Sequence, residues 1–337
     1  MTVDQGIIEL KARIEASKQI TISTHRNPDG DAMGSSLALY QVLLKLGKNV
    51  KIILPDDYPD FYSWMPFAET NIIYEHEARK AVDFIQASDL LFSLDYNAFH
   101  RTTEGLSNVL ESCDAFKVLV DHHREPDQFD LMFWNVNASS TCELIYKLIE
   151  DMQWKEHLDL DIAACIYTGL ITDTGSFRFP STSAYTLKIA SDLVDFGLDH
   201  SSVQSRVYDN NSESRLRLMG YALSEKMVVN EAQGFAYISL SSEELQKFSF
   251  KKGDTEGLVN YPLSIGSIKV SVLITERNNQ MRLSFRSKGE INVNDLARSY
   301  FNGGGHKNAA GGVSHASMKE TIAALELRIP EFSTKKP

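Results

Sequence analysis

Ile7, Ile8, Leu10 and Ile14 recur at helical spacing, so residues 5–18 read as an amphipathic helix. The period then drops to two. Ile20 and Ile22 alternate with Thr and Ser across residues 19–24, which predicts a short strand. Helical spacing returns from Leu37 through Leu39, Tyr40, Val42, Leu43, Leu44 and Leu46, and Gly47 is the expected stop. Residues 49–54 read as a strand, and 89–95 (DLLFSLD) and 116–120 (FKVLV) as buried strands. Ser140 and Glu143 have capping-box spacing ahead of an apolar helix through Ile149, and 161–171 predicts another helix. Strands that alternate with helices imply an α/β fold whose mainly parallel sheet has helices on both faces.

Near residue 186 the pattern changes. Residues 186–228 are polar helical text with thin apolar stripes, expected to form a helical connector. Residues 235–240 alternate, and the apolar stretches 267–275 and 281–287 flank Asn278-Asn279, a hairpin signal. A helix over 293–301 leads into Gly303-Gly304-Gly305-His306, a last helix covers 318–329, and the terminal STKKP is expected to fray. The chain therefore divides into a domain at 1–185, a connector at 186–228 and a smaller domain at 229–337.

Composition adds limits. The 337 residues suffice for two cores, and 43% hydrophobic with 23% charged residues is ordinary for a soluble globular chain. No apolar run is long enough to span a bilayer, and the N-terminus lacks a signal-peptide core, so no membrane association is expected. Cys113, Cys142 and Cys165 are odd in number and lack CxxC spacing, so no disulfide framework is indicated; Cys142 and Cys165 fall in apolar helical patterns and read as core thiols, which fits a reducing cytoplasm. A net charge of −11 argues against coating long nucleic acid. It leaves room for a small anionic substrate held by local cations.

Candidate chemistry gathers where elements end. Residues 24–35 pack His25, Asp29 and Asp31 into a strand-to-helix turn bent by Pro28 and Gly30. Open α/β sheets bind ligands at the carboxyl ends of their strands, and one nitrogen with two carboxylates suits a divalent cation. Taken alone, an Asp-rich helix cap accounts for this stretch as well. Three further segments repeat the placement: Asp95, Asp121-His122-His123 and Asp173. Side by side, they suffice for two divalent metal ions. Carboxylates with histidine favour manganese, with magnesium or cobalt as alternatives, over a thiolate-seeking metal. Two ions roughly 3.5–4 Å apart can clamp a phosphoryl group for in-line displacement. One of the adjacent histidines can bind metal while the other donates a proton to the leaving oxygen, with Asp121 orienting a ring from behind.

The run His25-x-Asn27-Pro28-Asp29-x-Asp31-Ala32-x-Gly34-Ser35, then Asp95, then Asp121-His122-His123, then Thr172-Asp173-Thr174-Gly175-Ser176-Phe177 resembles the four motifs of the DHH phosphoesterase superfamily. Residues 303–312 (GGGHKNAAGG) and 254–260 (DTEGLVN) are similar to the DHHA1 domain that follows it in one subfamily. The resemblance covers nearly the whole chain and is of the oligoribonuclease and pAp phosphatase type. It implies an N-terminal DHH domain and a C-terminal α/β domain with a mixed sheet. It also implies that His25 and Asp29 hold one metal, that Asp31, His122 and Asp173 hold the other, and that Asp95 bridges them. His123 would face the scissile phosphate, with Asp121 behind it. No metal position of the pattern is missing.

The glycines Gly303, Gly304 and Gly305 could offer backbone N–H groups to a phosphate, with His306 as a further donor. Arg286 is the candidate phosphate clamp, Arg101 and Asn308 are additional substrate contacts, and Trp64 is a stacking candidate weighed against a packed aromatic cluster. The expected activity is manganese-dependent cleavage of very short single-stranded RNA to nucleoside monophosphates, together with removal of the 3′-phosphate of pAp. A cyclic or linear dinucleotide phosphodiesterase is the same-class alternative, and a nucleotide-binding sensor without catalysis is the alternative from another class.

Overall fold

A computed structural model describes residues 3–333 of the chain, which divide into two compact units between Asn210 and Asn211. In the first unit the strands are β1 (Gln19–Ser23), β2 (Asn49–Leu54), β3 (Ile72–Ile73), β4 (Leu90–Leu94), β5 (Phe116–Asp121) and β6 (Leu131–Trp134). All pair in parallel, in the order β3-β2-β1-β4-β5-β6. The chain winds outward from β1 to β3, then restarts on the other side of β1 with β4. The two strands at which the order reverses frame the crevice where such sheets take their ligands.

Helices α1 (Val3–Ala16) and α2 (Gly30–Lys45) lie on one face of this sheet, α3 (Tyr74–Gln86) and α4 (Glu104–Ser112) on the other. The following helices, α5 (Thr141–Asp151), α6 (Leu160–Asp173), α7 (Ala184–Asp195) and α8 (His200–Tyr208), return to the first face. β4 sends Leu90, Phe92 and Leu94 into one core and Leu91 into the other, which is why its sequence is apolar throughout. Each such side chain contributes about 1.5–3 kcal/mol on burial. Two polar positions of β1, Thr21 and Ser23, are buried too. Thr21 hydrogen-bonds Ser88 at 2.8 Å, and Ser23 hydrogen-bonds the Tyr96 hydroxyl at 2.5 Å.

The second unit holds α9 (Glu213–Glu225), β7 (Met227–Asn230), β8 (Phe235–Leu240), α10 (Ser242–Lys247), β9 (Val270–Arg277), β10 (Gln280–Ser287), α11 (Val293–Tyr300), β11 (Gly304–His306), β12 (Ala309–Ser314) and α12 (Met318–Ser333). Its sheet runs β11-β12-β10-β9-β8-β7 and is mixed: β8 and β9 are parallel, the other pairs antiparallel. Leu296 and Leu325, from α11 and α12, pack on Phe235, Val272 and Phe285; Leu218 and Leu245, from α9 and α10, pack on Ile238 and Leu240 across the sheet. Asn278 and Asn279 have φ of 50° and 57°, the left-handed pair that a two-residue hairpin turn demands, and they set Arg277 opposite Gln280.

Several expectations change. Residues 186–228 are mainly helical, ending at the start of β7, but do not stand apart: Ile189, Leu193, Val203 and Val207 join the core of the first unit, and Leu218 and Ala222 that of the second. β3, β6, α3 and α4 carried no expectation. Ser140 caps α5 by accepting from the Glu143 N–H, but Glu143 does not close the box; its carboxylate accepts from Ser139 and Thr186 instead. Ser333 ends α12, and the rest of the terminal STKKP lies outside the described residues. Cys113, Cys142 and Cys165 are buried free thiols. Among the described residues, no helix is long and apolar enough to cross a membrane.

Candidate metal centre

β1, β4 and β5 are neighbours, so the residues that follow them are brought together at one edge of the sheet. After β1 the chain turns through Asn27, whose left-handed backbone is tied by its N–H to Asp56 at 2.7 Å. Asp29 then caps α2, one oxygen accepting from the N–H groups of Asp31 and Ala32 at 3.0 and 3.1 Å. The helix-cap and ligand readings of Asp29 are therefore compatible, because its second oxygen is not used by the cap. Asp95 follows β4 with φ of 63°, a left-handed conformation that Asp tolerates better than most residues. Asp121 ends β5, and His122 and His123 follow it. Asp173 is the last residue of α6.

Both candidate ligand histidines have a fixed tautomer. His25 Nδ1 lies 2.9 Å from the Arg26 carbonyl and His122 Nδ1 lies 3.2 Å from the Ala138 carbonyl. A carbonyl only accepts, so Nδ1 carries the proton and Nε2 is turned to the carboxylates. His25 Nε2 is 3.3 Å from Asp95 Oδ2 and 3.8 Å from Asp29 Oδ1. His122 Nε2 is 3.3 Å from Asp173 Oδ2, 3.5 Å from Asp95 Oδ1 and 3.8 Å from Asp31 Oδ2. Asp95 thus turns a different oxygen to each histidine. His123 stands slightly apart, its Nδ1 2.7 Å from Asp121 Oδ1. Asp121 is fully buried, and its Oδ2 has no hydrogen-bond partner among the described residues.

Asp31 is held in a way that no side-chain motif announces. Its two oxygens accept from the backbone N–H groups of Thr141 and Cys142, at 2.6 and 2.8 Å, at the start of α5. The Thr141 hydroxyl donates to Asp95 Oδ1 at 2.9 Å. The first turn of a helix thereby orients two carboxylates at once. The only sequence signal was Ser140 as a cap, which located the helix start without its purpose.

Helix packing sets the spacing. A Cβ on Gly34 would lie 2.4 Å from the Cys165 carbonyl, and one on Gly169 would lie 2.2 Å from Cys142 Sγ and 2.6 Å from Asp31 Oδ1. α2 and α6 approach closely enough to bring Asp31 and Asp173 to the same histidine only because both positions lack a side chain.

The electrostatics fit a divalent cation. Burial disfavours the charged Asp31, and the like charges of Asp95 and Asp173 add to this, so its carboxyl is raised well above the usual range. Burial likewise pushes Asp173 up to about 8. For Asp95, burial is outweighed by hydrogen bonds from His122 and His25, which hold it well below the usual range; His25 does the same, more mildly, for Asp29. Burial alone would lower His25 and His122, but their carboxylate neighbours raise both well above normal. A cation would replace these protons and relieve the repulsion.

A test follows from the signs. His25, His122, Asp31 and Asp173 bind protons more tightly folded than unfolded. Each contributes stability that is complete below its unfolded value and lost as pH rises through its folded value. Asp29 and Asp95 lose theirs only as pH falls below about 4. The metal-free protein is expected to lose thermal stability as pH rises from about 4 through the Asp173 value of about 8. Added divalent metal should restore more stability at the upper end of that window than at its middle. Calorimetry with chelated and metal-loaded protein reads this directly, and a metal effect independent of pH would contradict it.

The substrate candidates are placed in each unit separately. Arg101 lies in the first unit, where its carbonyl accepts from the Arg26 N–H at 2.9 Å, beside the first motif. In the second unit Arg286 is half-buried on β10 and one guanidinium nitrogen donates to the Phe285 carbonyl at 3.0 Å. The glycine run is a strand rather than an open loop. The Gly303 N–H is already donated to Ala297, and a Cβ on Gly303 would meet the Gly311 carbonyl at 1.9 Å. Gly304, Gly305 and His306 form the edge strand β11. Asn308 is withdrawn from the substrate set, because its amide nitrogen lies within 3.2 Å of Ser287 Oγ and the Gly289 and Ile291 carbonyls, holding the link between β10 and α11. Trp64 is packed against the core with the Arg206 guanidinium 5.1 Å from its ring, so the packed-cluster reading holds for it.

Two family profiles match the chain: the DHH family, N-terminal domain, over residues 19–170, and the DHHA1 domain over residues 233–329. The bifunctional oligoribonuclease and PAP phosphatase NrnA of Bacillus subtilis is 29% identical over 313 residues, covering 90% of this chain and 91% of that protein. The protein of the same name from Thermus thermophilus is 30% identical over 295 residues, covering 87% and 83%. The crystal structure of an exopolyphosphatase-related protein from Bacteroides fragilis superposes with a TM-score of 0.93 at 37% identity, covering 99% of this chain and 98% of that one.

Proposed function

The chain belongs to the DHH family, with a DHHA1 domain behind its DHH domain, and is a metal-dependent phosphoesterase; on that premise we propose that it degrades very short RNA to nucleoside monophosphates and converts pAp to AMP. The observation that carries the mechanism is Asp95, which offers one oxygen towards His25 and the other towards His122. In this reading His25 and Asp29 would hold one divalent ion, Asp31, His122 and Asp173 would hold a second, and Asp95 would contribute a carboxylate oxygen on each side. Manganese suits the mixture of carboxylates and imidazoles, with magnesium or cobalt as substitutes. When bound, such ions supply Lewis-acid polarisation of the phosphoryl group and a water acidic enough to attack it.

The remaining work falls to the side chains. His123 donates a proton to the leaving oxygen, its ring aligned through Nδ1 by the buried Asp121. Arg101 adds a contact from the first unit. Arg286, His306 and the Gly304–Gly305 strand are the substrate-contact candidates of the second unit. Arg286→Ala is expected to raise KM by about ten- to a hundred-fold, as for a lost charge-assisted hydrogen bond of ~1.5–3 kcal/mol, with a smaller change in kcat. Steady-state kinetics on a short RNA measures the split, and an unmoved KM would remove Arg286 from the binding role.

The acidic chain, at −11, disfavours long polymers. The decisive experiment is product analysis with Mn²⁺ and parallel substrates: RNA of a few nucleotides, long RNA, pAp and cyclic di-AMP. Monophosphates from short RNA and AMP from pAp, with long RNA spared, support the proposal. Turnover confined to the cyclic dinucleotide would replace it with the dinucleotide phosphodiesterase reading.

A further inference from the structure

Trp134 closes β6, the edge strand of the first sheet, and pairs in register with Asp121. Trp134 is 43% exposed, whereas Trp154 is buried and Trp64 is packed on the core. The ring is not loose. Its N–H donates to the backbone carbonyl of His123 at 2.5 Å, which fixes a large apolar surface beside the residue assigned to the scissile phosphate. The sequence gives no packing reason for a tryptophan there, since its neighbours Met132 and Phe133 are only half-buried and β6 has no strand beyond it among the described residues.

Resting on the reading above, we propose that Trp134 is the stacking platform for the nucleobase of the nucleoside joined to the scissile phosphate. The indole has a single polar atom, and that atom is already spent on His123. What remains for a ligand is the π-face, which accepts any base and reads none. Such a contact gives affinity for a nucleoside without sequence preference, which suits a substrate class defined by length rather than by sequence. Its placement next to His123 also explains how a small substrate could be registered from within the first unit.

Trp134 could instead serve only as a prop for the His123 backbone, and two variants separate the roles. On the dinucleotide pApA with Mn²⁺, Trp134→Ala is expected to raise KM about ten-fold or more, the scale of one lost base stack, with kcat within about three-fold of the parent. Trp134→Phe keeps a ring but loses the N–H, and should recover most of the KM. A second readout needs no turnover: AMP added to the Mg²⁺-loaded protein should quench the exposed indole, and Trp134→Phe should abolish that quench. If both variants lose kcat alike with KM unmoved, Trp134 is only a prop and the proposal falls. Unchanged constants in Trp134→Ala, or an AMP quench that survives in Trp134→Phe, would also overturn it. Failure of the functional reading looks different: the parent protein would release no monophosphate from short RNA. In that case the quench alone decides, its presence and its loss in Trp134→Phe sustaining the platform and its absence overturning it.

Discussion

Replacing His123 with alanine is expected to lower kcat by about 10²–10⁴-fold, the usual contribution of a positioned general acid, while leaving the metal ions bound. The expectation rests on a division of labour visible in the geometry. His122 turns Nε2 into the group of Asp31, Asp95 and Asp173, whereas His123 makes its closest carboxylate contact with Asp121 through Nδ1. In the proposed mechanism, removing the first ring would take away a ligand and removing the second would take away a proton donor. Single-turnover kinetics together with metal titration by calorimetry distinguish the two. Loss of metal in His123→Ala would make it a ligand instead, and near-normal turnover would remove it from the mechanism.

Asp31→Asn is expected to be worse on every count. The carboxylate accepts one backbone N–H on each oxygen, from Thr141 and from Cys142. An amide has one acceptor only, so its NH₂ must face one of these buried donors. In the metal-loaded protein, where Asp31 is ionised, the unsatisfied pair costs about 1–3 kcal/mol of stability. The lost charge weakens metal binding, and several kcal/mol of transition-state stabilisation go with it, which is about 10³-fold or more in kcat. Denaturant unfolding and metal titration should therefore both respond. A variant that folds as stably as the parent and binds metal normally would contradict the assignment of Asp31.

How far could the residues alone be read? The motif-bearing segments were legible because each one ends an element with a clear period: β1 by alternation, β4 and β5 as apolar runs, α6 as an apolar helix. What the period could not carry was anything made by backbone. The N–H groups of Thr141 and Cys142 hold Asp31, and no side-chain pattern encodes that. The glycines at 303–305 suggested a pliable anion loop, but a Gly303 N–H already committed to Ala297 and a cross-strand approach too close for a Cβ account for part of the run. β6 is not legible in the sequence because LMFW is a short apolar run at a sheet edge, without alternation and only partly buried. The 186–228 segment looked like a connector for a related reason. Each of its helices covers only the margin of a core, so a thin apolar stripe suffices on both sides of the 210/211 boundary.

The close crossing of α2 and α6 has a consequence for anyone engineering this chain. A glycine inside a helix forgoes roughly 0.5–1 kcal/mol relative to alanine, and Gly→Ala at compatible sites is a standard thermostabilising change. Gly34 and Gly169 would be picked by any such protocol on helix propensity alone. At both, the added methyl group would meet a carbonyl or a sulfur at 2.4 Å or less, and at Gly169 also the Asp31 carboxylate at 2.6 Å. The two helices would have to part, and Asp31 and Asp173 would separate with them. Gly34 on the α2 side and Gly169, which also faces Cys142 of α5, act as a gauge block whose thickness sets the candidate metal pocket, and the fold's forgone helix stability is the measure of how tightly that dimension is specified.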